Sequence, residues 1–250
     1  MLRVRNLSVG YGAEPVLEGI DLEVKTGEFA SLIGPSGSGK TSVLRAVTRL
    51  LQPLAGSVEL DLEPNDIGFL FQDDALLPWR TARQNVALGL RIRGNAVKEA
   101  ENVADNWLGR LGLGVFGDRY PRQLSGGQRK RVAIAQVLAL RPKLLLMDEP
   151  FASLDAIVRT RITQELLAWV EQEHMTVLLV THDLEEAISV SDVVYVLSQG
   201  PRAGIRARHE IPIPRPRNLL ETRRDPCFAP LLTTLWDDLS TASVTDDSAQ

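Results

Sequence analysis

The chain has 250 residues, 44% of them hydrophobic, with 28 Lys and Arg against 32 Asp and Glu and a single cysteine. A chain of this length buries about 70–75% of the surface its unfolded form exposes, so it can build a core without staples, and one cysteine excludes an internal disulfide framework. The net charge of −4 is carried by Asp237, Asp238, Asp246 and Asp247 in a stretch free of Lys and Arg; the rest balances to zero, which argues against a dedicated nucleic-acid binder.

No stretch reaches the roughly 18 consecutive apolar residues of a membrane-spanning helix. The start Met1-Leu2-Arg3-Val4-Arg5 lacks the apolar run of a secretory signal, so none is expected. Residues 2–9 read as a strand punctuated by Gly10 and Gly12. The apolar run 29–33 reads as a second strand and meets a glycine-rich loop. Beyond it Val43, Leu44, Val47, Leu50 and Leu51 recur at helical spacing until Pro53. Strand, glycine-rich loop and helix open a βα unit of a parallel sheet.

Residues 67–71 read as another buried strand. Helical patterns then occupy 81–92, 97–111 and 127–140, with glycines between them and no strong strand. A helical subdomain over about 73–140, inserted into an α/β core, is expected. The core resumes with the apolar strand 144–147, a helix with Ile162, Leu166, Leu167 and Val170 on one face, and strands at 176–180 and 193–197. Continuous apolar strands between helices predict a sheet covered on both faces. From 199 the pattern degrades: Arg202, Arg206, Arg208, Arg215, Arg217, Arg223 and Arg224 lie among prolines and read as a solvated surface segment. A short helix is predicted near 228–239, and an acidic, disordered tail over 237–250.

Three segments carry chemistry. Gly34-Pro35-Ser36-Gly37-Ser38-Gly39-Lys40-Thr41 fits the GxxxxGK[ST] phosphate loop, in the required strand–loop–helix context. Its glycines let backbone N–H groups form an anion nest, and the following helix points its positive end at phosphates. Lys40 can reach the β- and γ-phosphates, and the Thr41 hydroxyl is a hard oxygen ligand for Mg²⁺. Asp148 and Glu149 end the strand 144–147, at the edge where open α/β sheets bind ligands. Two adjacent side chains diverge there, so Asp148 is assigned to Mg²⁺ and Glu149 to the water that attacks the γ-phosphate. His182 follows the next strand and should arrive at the same edge to touch the γ-phosphate. His174 and His209 read as surface residues.

The third segment is Leu124-Ser125-Gly126-Gly127-Gln128, a second helix start suited to anions but without a lysine. One nucleotide does not need two such sites in one chain, so this one is expected to complete a pocket across a dimer interface. Composition alone would yield the string at roughly one in ten thousand.

With these motifs in order, residues 1–235 resemble the ATP-binding subunit of an ABC transporter. The resemblance implies a P-loop NTPase cassette of α/β class: a RecA-like parallel-sheet core, an N-terminal antiparallel β part and an inserted helical subdomain, all within residues 1–236. Residues 34–41, with Ser42, match its Walker A loop; 144–149 match Walker B, and 124–128 the signature motif. Gln72 matches the Q-loop glutamine, which joins Thr41 and Asp148 around Mg²⁺. Ser153-Leu154-Asp155 matches the D-loop, His182 the switch histidine, and Tyr11 the aromatic that stacks on adenine. The family works as a head-to-tail dimer of cassettes sandwiching two ATP, with transmembrane permease subunits and a periplasmic or lipid-anchored solute-binding protein as partners. The implied location is the cytoplasmic face of the inner membrane; no nucleic-acid partner is expected.

A narrower resemblance lies in Ala75-Leu76-Leu77-Pro78-Trp79-Arg80 with Asn85-Val86, similar to importer cassettes for nitrate, sulfonates and taurine. Relatives of that group also serve thiamine-pyrimidine precursors, and a soluble ABC ATPase without transport is the competing class. Residues 76–79 are candidates for a patch that receives a permease helix, or for packing inside the helical subdomain. The short segment 56–67 puts the family's antiparallel hairpin in doubt.

Overall fold

The computed structural model describes residues 1–12, 14–152 and 154–243. The chain forms two compact units, Met1–Pro64 with Leu166–Gln250, and Asn65–Glu165.

In the first unit β1 (Leu2–Gly10) pairs antiparallel with both β2 (Pro15–Val24) and β4 (Ala55–Leu60), giving the sheet order β2-β1-β4. The short segment 56–67 supplies a single strand, β4, followed by a 3-10 turn at Pro64–Asp66, so it folds no hairpin of its own. β4 is held near β1 by Gly56, at φ 79°, where a Cβ would lie 2.2 Å from the Asn6 carbonyl oxygen. Leu2, Val4, Leu22 and Val24 face inward and are buried, while Arg3 and Glu23 pair on the outer face at 3.0 Å.

A second sheet surrounds β3 (Phe29–Ile33), which lies parallel to β7 (Thr176–Val180) on one side and to β8 (Val193–Leu197) on the other; β9 (Ile205–Glu210) joins β8 antiparallel. All residues of β3, β7 and β8 are buried, as their unbroken apolar sequences require. Helix α6 (Leu184–Val190) and helix α8 (Phe228–Ser243) contribute Ala187, Ile188, Phe228 and Leu235 to a cluster with Ile33, Val194 and Val196.

Four expectations change in this unit. Helix α1 (Lys40–Val47) stops before Leu50 and Leu51; the Thr48 hydroxyl turns back onto the Leu44 carbonyl, and Leu50 is exposed. The arginine-rich segment is not simply solvated surface. It contains β9, whose Arg206 and Arg208 point outward, and the buried Arg217, which donates to the Ile213 and Ser191 carbonyls and to Asp192. Burial pulls the Arg217 guanidinium below its usual range, and Asp192 opposes the shift. Helix α8 continues past the expected tail boundary at 237 to Ser243; positions 244–250 lie outside the described residues. Its Asp238 carboxylate meets the half-buried His209 ring at 2.6 Å, so His209 is not a free surface group. Between these elements the short α7 (Leu219–Thr222) is capped by Asn218.

In the second unit β5 (Ile67–Leu70) pairs parallel with β6 (Leu144–Asp148). Between them lie α2 (Ala82–Ile92), α3 (Val97–Arg110) and α4 (Gly126–Leu138), close to the predicted helices. Their contact surfaces use Val86, Leu90, Ala104, Leu108, Ile134 and Leu138, all buried. Helix α5 (Ala156–Gln172) leads the chain out of this unit. The compact unit is wider than the 73–140 insertion because its two strands pack with its helices.

Candidate nucleotide site

The phosphate loop follows β3 directly. Gly39, at φ 94°, sits at the N-cap of α1 with no side-chain cap bond. A Cβ there would lie 2.8 Å from Leu17 Cδ2, so both conformation and space require glycine. Lys40 is buried and folds back across the loop, its Nζ donating to the Gly34 and Pro35 carbonyls at 2.9 Å each. Inside the same loop the fully buried Ser38 hydroxyl has no hydrogen-bond partner. An orphaned buried hydroxyl costs about 1–3 kcal/mol, a penalty that a phosphate oxygen in the loop would remove.

Tyr11 stands beside the first turn of α1. Its hydroxyl lies 3.2 Å from Ser42 Oγ and accepts from Arg45 Nη1 at 2.7 Å, while its ring remains 60% exposed. A flat, largely exposed ring held by its hydroxyl, with the Arg45 guanidinium over it at 6.0 Å from the centroid, suits base stacking. His182 lies exposed between β7 and α6. Around it Thr181 Oγ1 donates to Glu186 Oε2 at 2.6 Å and accepts from the Asp183 amide, while the Asp183 carboxylate caps α6.

The other predicted residues belong to the second unit. β6 delivers Asp148, almost fully buried, and Glu149, half-buried at φ 43°. Left-handed backbone at a non-glycine residue stores about 1–3 kcal/mol, so the chain turns sharply between the two carboxylate-bearing residues. Gln72 is exposed just beyond β5. Asp155 caps α5, accepting from the Val158 amide at 3.0 Å; its neighbour Ser153 lies outside the described residues.

Ser125 is the N-cap of α4 and forms a reciprocal box with Gln128: Ser125 Oγ accepts from the Gln128 amide at 3.3 Å, and Gln128 Oε1 accepts from the Ser125 amide at 2.9 Å. Gly126 is exposed, and Gly127 approaches Val158 so closely that a Cβ would meet Cγ1 at 2.9 Å. Thus Tyr11, residues 34–42 and His182 fall in one unit, and Gln72, residues 125–128, Asp148, Glu149 and Asp155 in the other.

Sequence reasoning missed two supporting residues. One is Arg45, which steadies Tyr11. The other is Lys130, a charged residue four positions before the buried Ile134 and thus on the inner stripe of α4; that misplaced charge was the available signal. Asn85, noted within a resemblance, has a physical task. It is fully buried, and its amide accepts from Leu77 N and donates to the carbonyls of Leu77, Arg80 and Thr81. The loop it clamps leaves Pro78 and Trp79 exposed and Leu76 and Leu77 half-buried.

A strand that enters a glycine-rich loop, a lysine folded over that loop and a helix opening at a left-handed glycine define a P-loop nucleotide-binding protein of α/β class. The ABC transporter family model matches residues 17–152, and the chain belongs to that family. It is similar to the nitrate import ATP-binding protein NrtD of Synechococcus elongatus, 40% identical over 243 residues, covering 94% of this chain and 89% of NrtD. Similarity to the bicarbonate transport ATP-binding protein CmpC of Synechocystis reaches 42% over 219 residues, covering 85% of this chain. The chain spans about a third (33%) of the length of that curated relative.

Among solved structures, a dimeric ATP-binding cassette in a post-hydrolysis state with ADP and Pi superposes with TM-score 0.75 and 32% identity, covering 84% of this chain and 99% of that one. The cbiO1 protein of Clostridium perfringens, part of the transporter complex cbiONQ, gives TM-score 0.74 and 28% identity, covering 90% of each chain.

Proposed function

We propose that this chain is the ATP-hydrolysing subunit of an importer for a small oxyanion or a similarly small solute. The observation that carries the reading is the phosphate loop with its orphaned Ser38 hydroxyl and inward-folded Lys40, in a chain that matches almost all of a nitrate import cassette. The relatives named for nitrate, bicarbonate and sulfate share an oxyanion chemistry, and this supports the substrate class.

In this reading Tyr11 stacks on adenine, and residues 34–42 with Lys40 cradle the phosphates. Glu149 holds the attacking water, and His182 donates to the γ-phosphate. Thr41, Gln72 and Asp148 are hard oxygen donors that fit Mg²⁺; the ion would neutralise charge on the β- and γ-phosphates. Ser125, Gly126, Gly127 and Gln128 of a second copy would close on that phosphate, with Asp155 at the dimer seam. ATP favouring the closed dimer over the open one is what lets hydrolysis drive a membrane partner.

No helix among the described residues is long and apolar enough to cross a membrane, so attachment to the cytoplasmic membrane face would run through permease subunits. The exposed Trp79 loop is the proposed permease contact, and a solute-binding protein would deliver the cargo.

The experiment is capture of the chain from native membranes in mild detergent, followed by ligand screening of any co-purifying binding protein. A multi-span permease and a binding protein that takes nitrate, bicarbonate or a sulfonate support the proposal. Soluble partners alone, with the membrane fraction empty, would overturn import.

A further inference from the structure

Helix α4 carries a lysine where its periodicity requires an apolar side chain. Lys130 lies one turn before Ile134 and two before Leu138, both buried, and its own side chain is 1% exposed. A buried ammonium persists only where its protons find acceptors. Lys130 Nζ meets three: the Gln72 carbonyl at 2.9 Å, the Asp74 carboxylate at 3.1 Å and the Phe71 carbonyl at 3.4 Å. All belong to the short turn that leaves β5.

The neighbouring side chain extends the connection. Arg129 Nε lies 3.3 Å from the other Asp74 oxygen, and Arg129 Nη1 donates to the Leu124 carbonyl at 2.8 Å, one residue before Ser125. Two consecutive residues of α4 therefore tie the Gln72 backbone to the lead-in of the signature motif. Apolar side chains of similar volume usually stabilise such a position at least as well as a buried ion pair does. Stability alone is thus a weak reason for this lysine.

We infer that Lys130, Asp74 and Arg129 form a strut that holds Gln72 and Ser125 in fixed register, making Lys130 a positioning residue for hydrolysis. The inference rests on the roles proposed above for Gln72 and Ser125. The strut ends on the carbonyl of Gln72 itself, so a displacement of the α4 start passes to Gln72 without an intervening side chain. One segment faces the nucleotide of its own chain and the other that of a second copy, so the strut links events at the two nucleotides.

The full-length chain tests this through ATP affinity, kcat and melting temperature. Lys130→Met is expected to lower kcat about tenfold while the Kd for ATP stays within about twofold, with Lys130→Arg recovering part of the loss. Asp74→Asn should lower kcat about threefold or more, and Lys130→Met combined with Asp74→Asn should be no slower than Lys130→Met alone, because the two act as one unit. A kcat for Lys130→Met within about twofold of the parent overturns the strut, even if the melting temperature falls.

Should Lys130→Met fail to fold, Asp74→Asn decides: parental kcat overturns the strut, and a loss at unchanged affinity supports it. Gln72→Ala and Ser125→Ala run alongside. If both turn over normally, the underlying reading of those residues falls and takes the strut with it; if both are slow beside a normal Lys130→Met, the strut alone falls.

Discussion

Two helices of this chain begin at glycine-rich loops, and their first turns are completed by different means. Helix α1 starts at Gly39 with no side-chain cap and a lysine folded over the loop. Helix α4 starts at Ser125, whose hydroxyl and backbone are engaged reciprocally with Gln128. The dipole end that attracts anions is common to both. The difference is what closes the start: α4 closes on its own side chains, whereas the loop leading into α1 holds the buried Ser38 hydroxyl, which has no hydrogen-bond partner. In the function proposed above, α1 would hold a nucleotide and α4 would be presented to one held by a second copy.

Substitutions can break this comparison in graded steps. Lys40→Ala has the largest expected effect, a loss of ATP affinity of about a hundredfold or more, because it deletes a cation from a water-poor loop. Ser125→Ala should leave single-chain affinity within about twofold; isothermal titration of both variants reads the contrast. Gly39→Ala comes next: its left-handed φ and the contact with Leu17 should destabilise the chain by about 1–3 kcal/mol in urea unfolding. Gly37→Ala shares a positive φ of 80° but meets open space and should cost about 1 kcal/mol.

Ser125→Ala should lower stability by about 1 kcal/mol through loss of the cap. Ser125→Asp sharpens this point, since it restores the cap and hence stability while its charge repels a phosphate and keeps turnover low. Smallest is Tyr11→Phe, which removes the hydroxyl bonded to Ser42 and Arg45 but keeps the ring. ATP should bind about two- to threefold more weakly in a titration, against about tenfold for Tyr11→Ala.

The parts legible in the sequence were those where one signal dominates. The unbroken apolar runs of β3, β6, β7 and β8 admit few alternatives, and the motifs between them have fixed spacing. Illegible were elements whose shape is decided by partners far along the chain. β4 is Ala-Gly-Ser-Val-Glu-Leu, mostly exposed, and exists because β1 offers it an edge. β9 turns Arg206, Arg208 and Glu210 outward in a segment whose composition reads as solvent-facing. Arg217 looks like its neighbours in sequence, yet it alone turns inward to the carbonyls at the end of α6 and in the segment after β9. Helix α1 shows the opposite failure, a periodicity that continues through Leu50 after the backbone has left the helix. For the candidate site, residue types and order were legible, and Lys130 showed as a charge on the inner stripe of α4, while the supports from Arg45 and the Asp183–Glu186 turn required the folded chain.

The clamp around Asn85 has an optical consequence. It brackets residue 79 by gripping the backbone at 77, 80 and 81, and the indole between them is 70% exposed. Trp107, by contrast, is buried. Trp79 should therefore emit at longer wavelength than Trp107 and be quenched readily by acrylamide, yet its anisotropy should decay with the tumbling of its folded unit and not with fast local loop motion. The chain thus carries a native fluorophore on the loop proposed to meet the permease, one able to register that encounter without an added label.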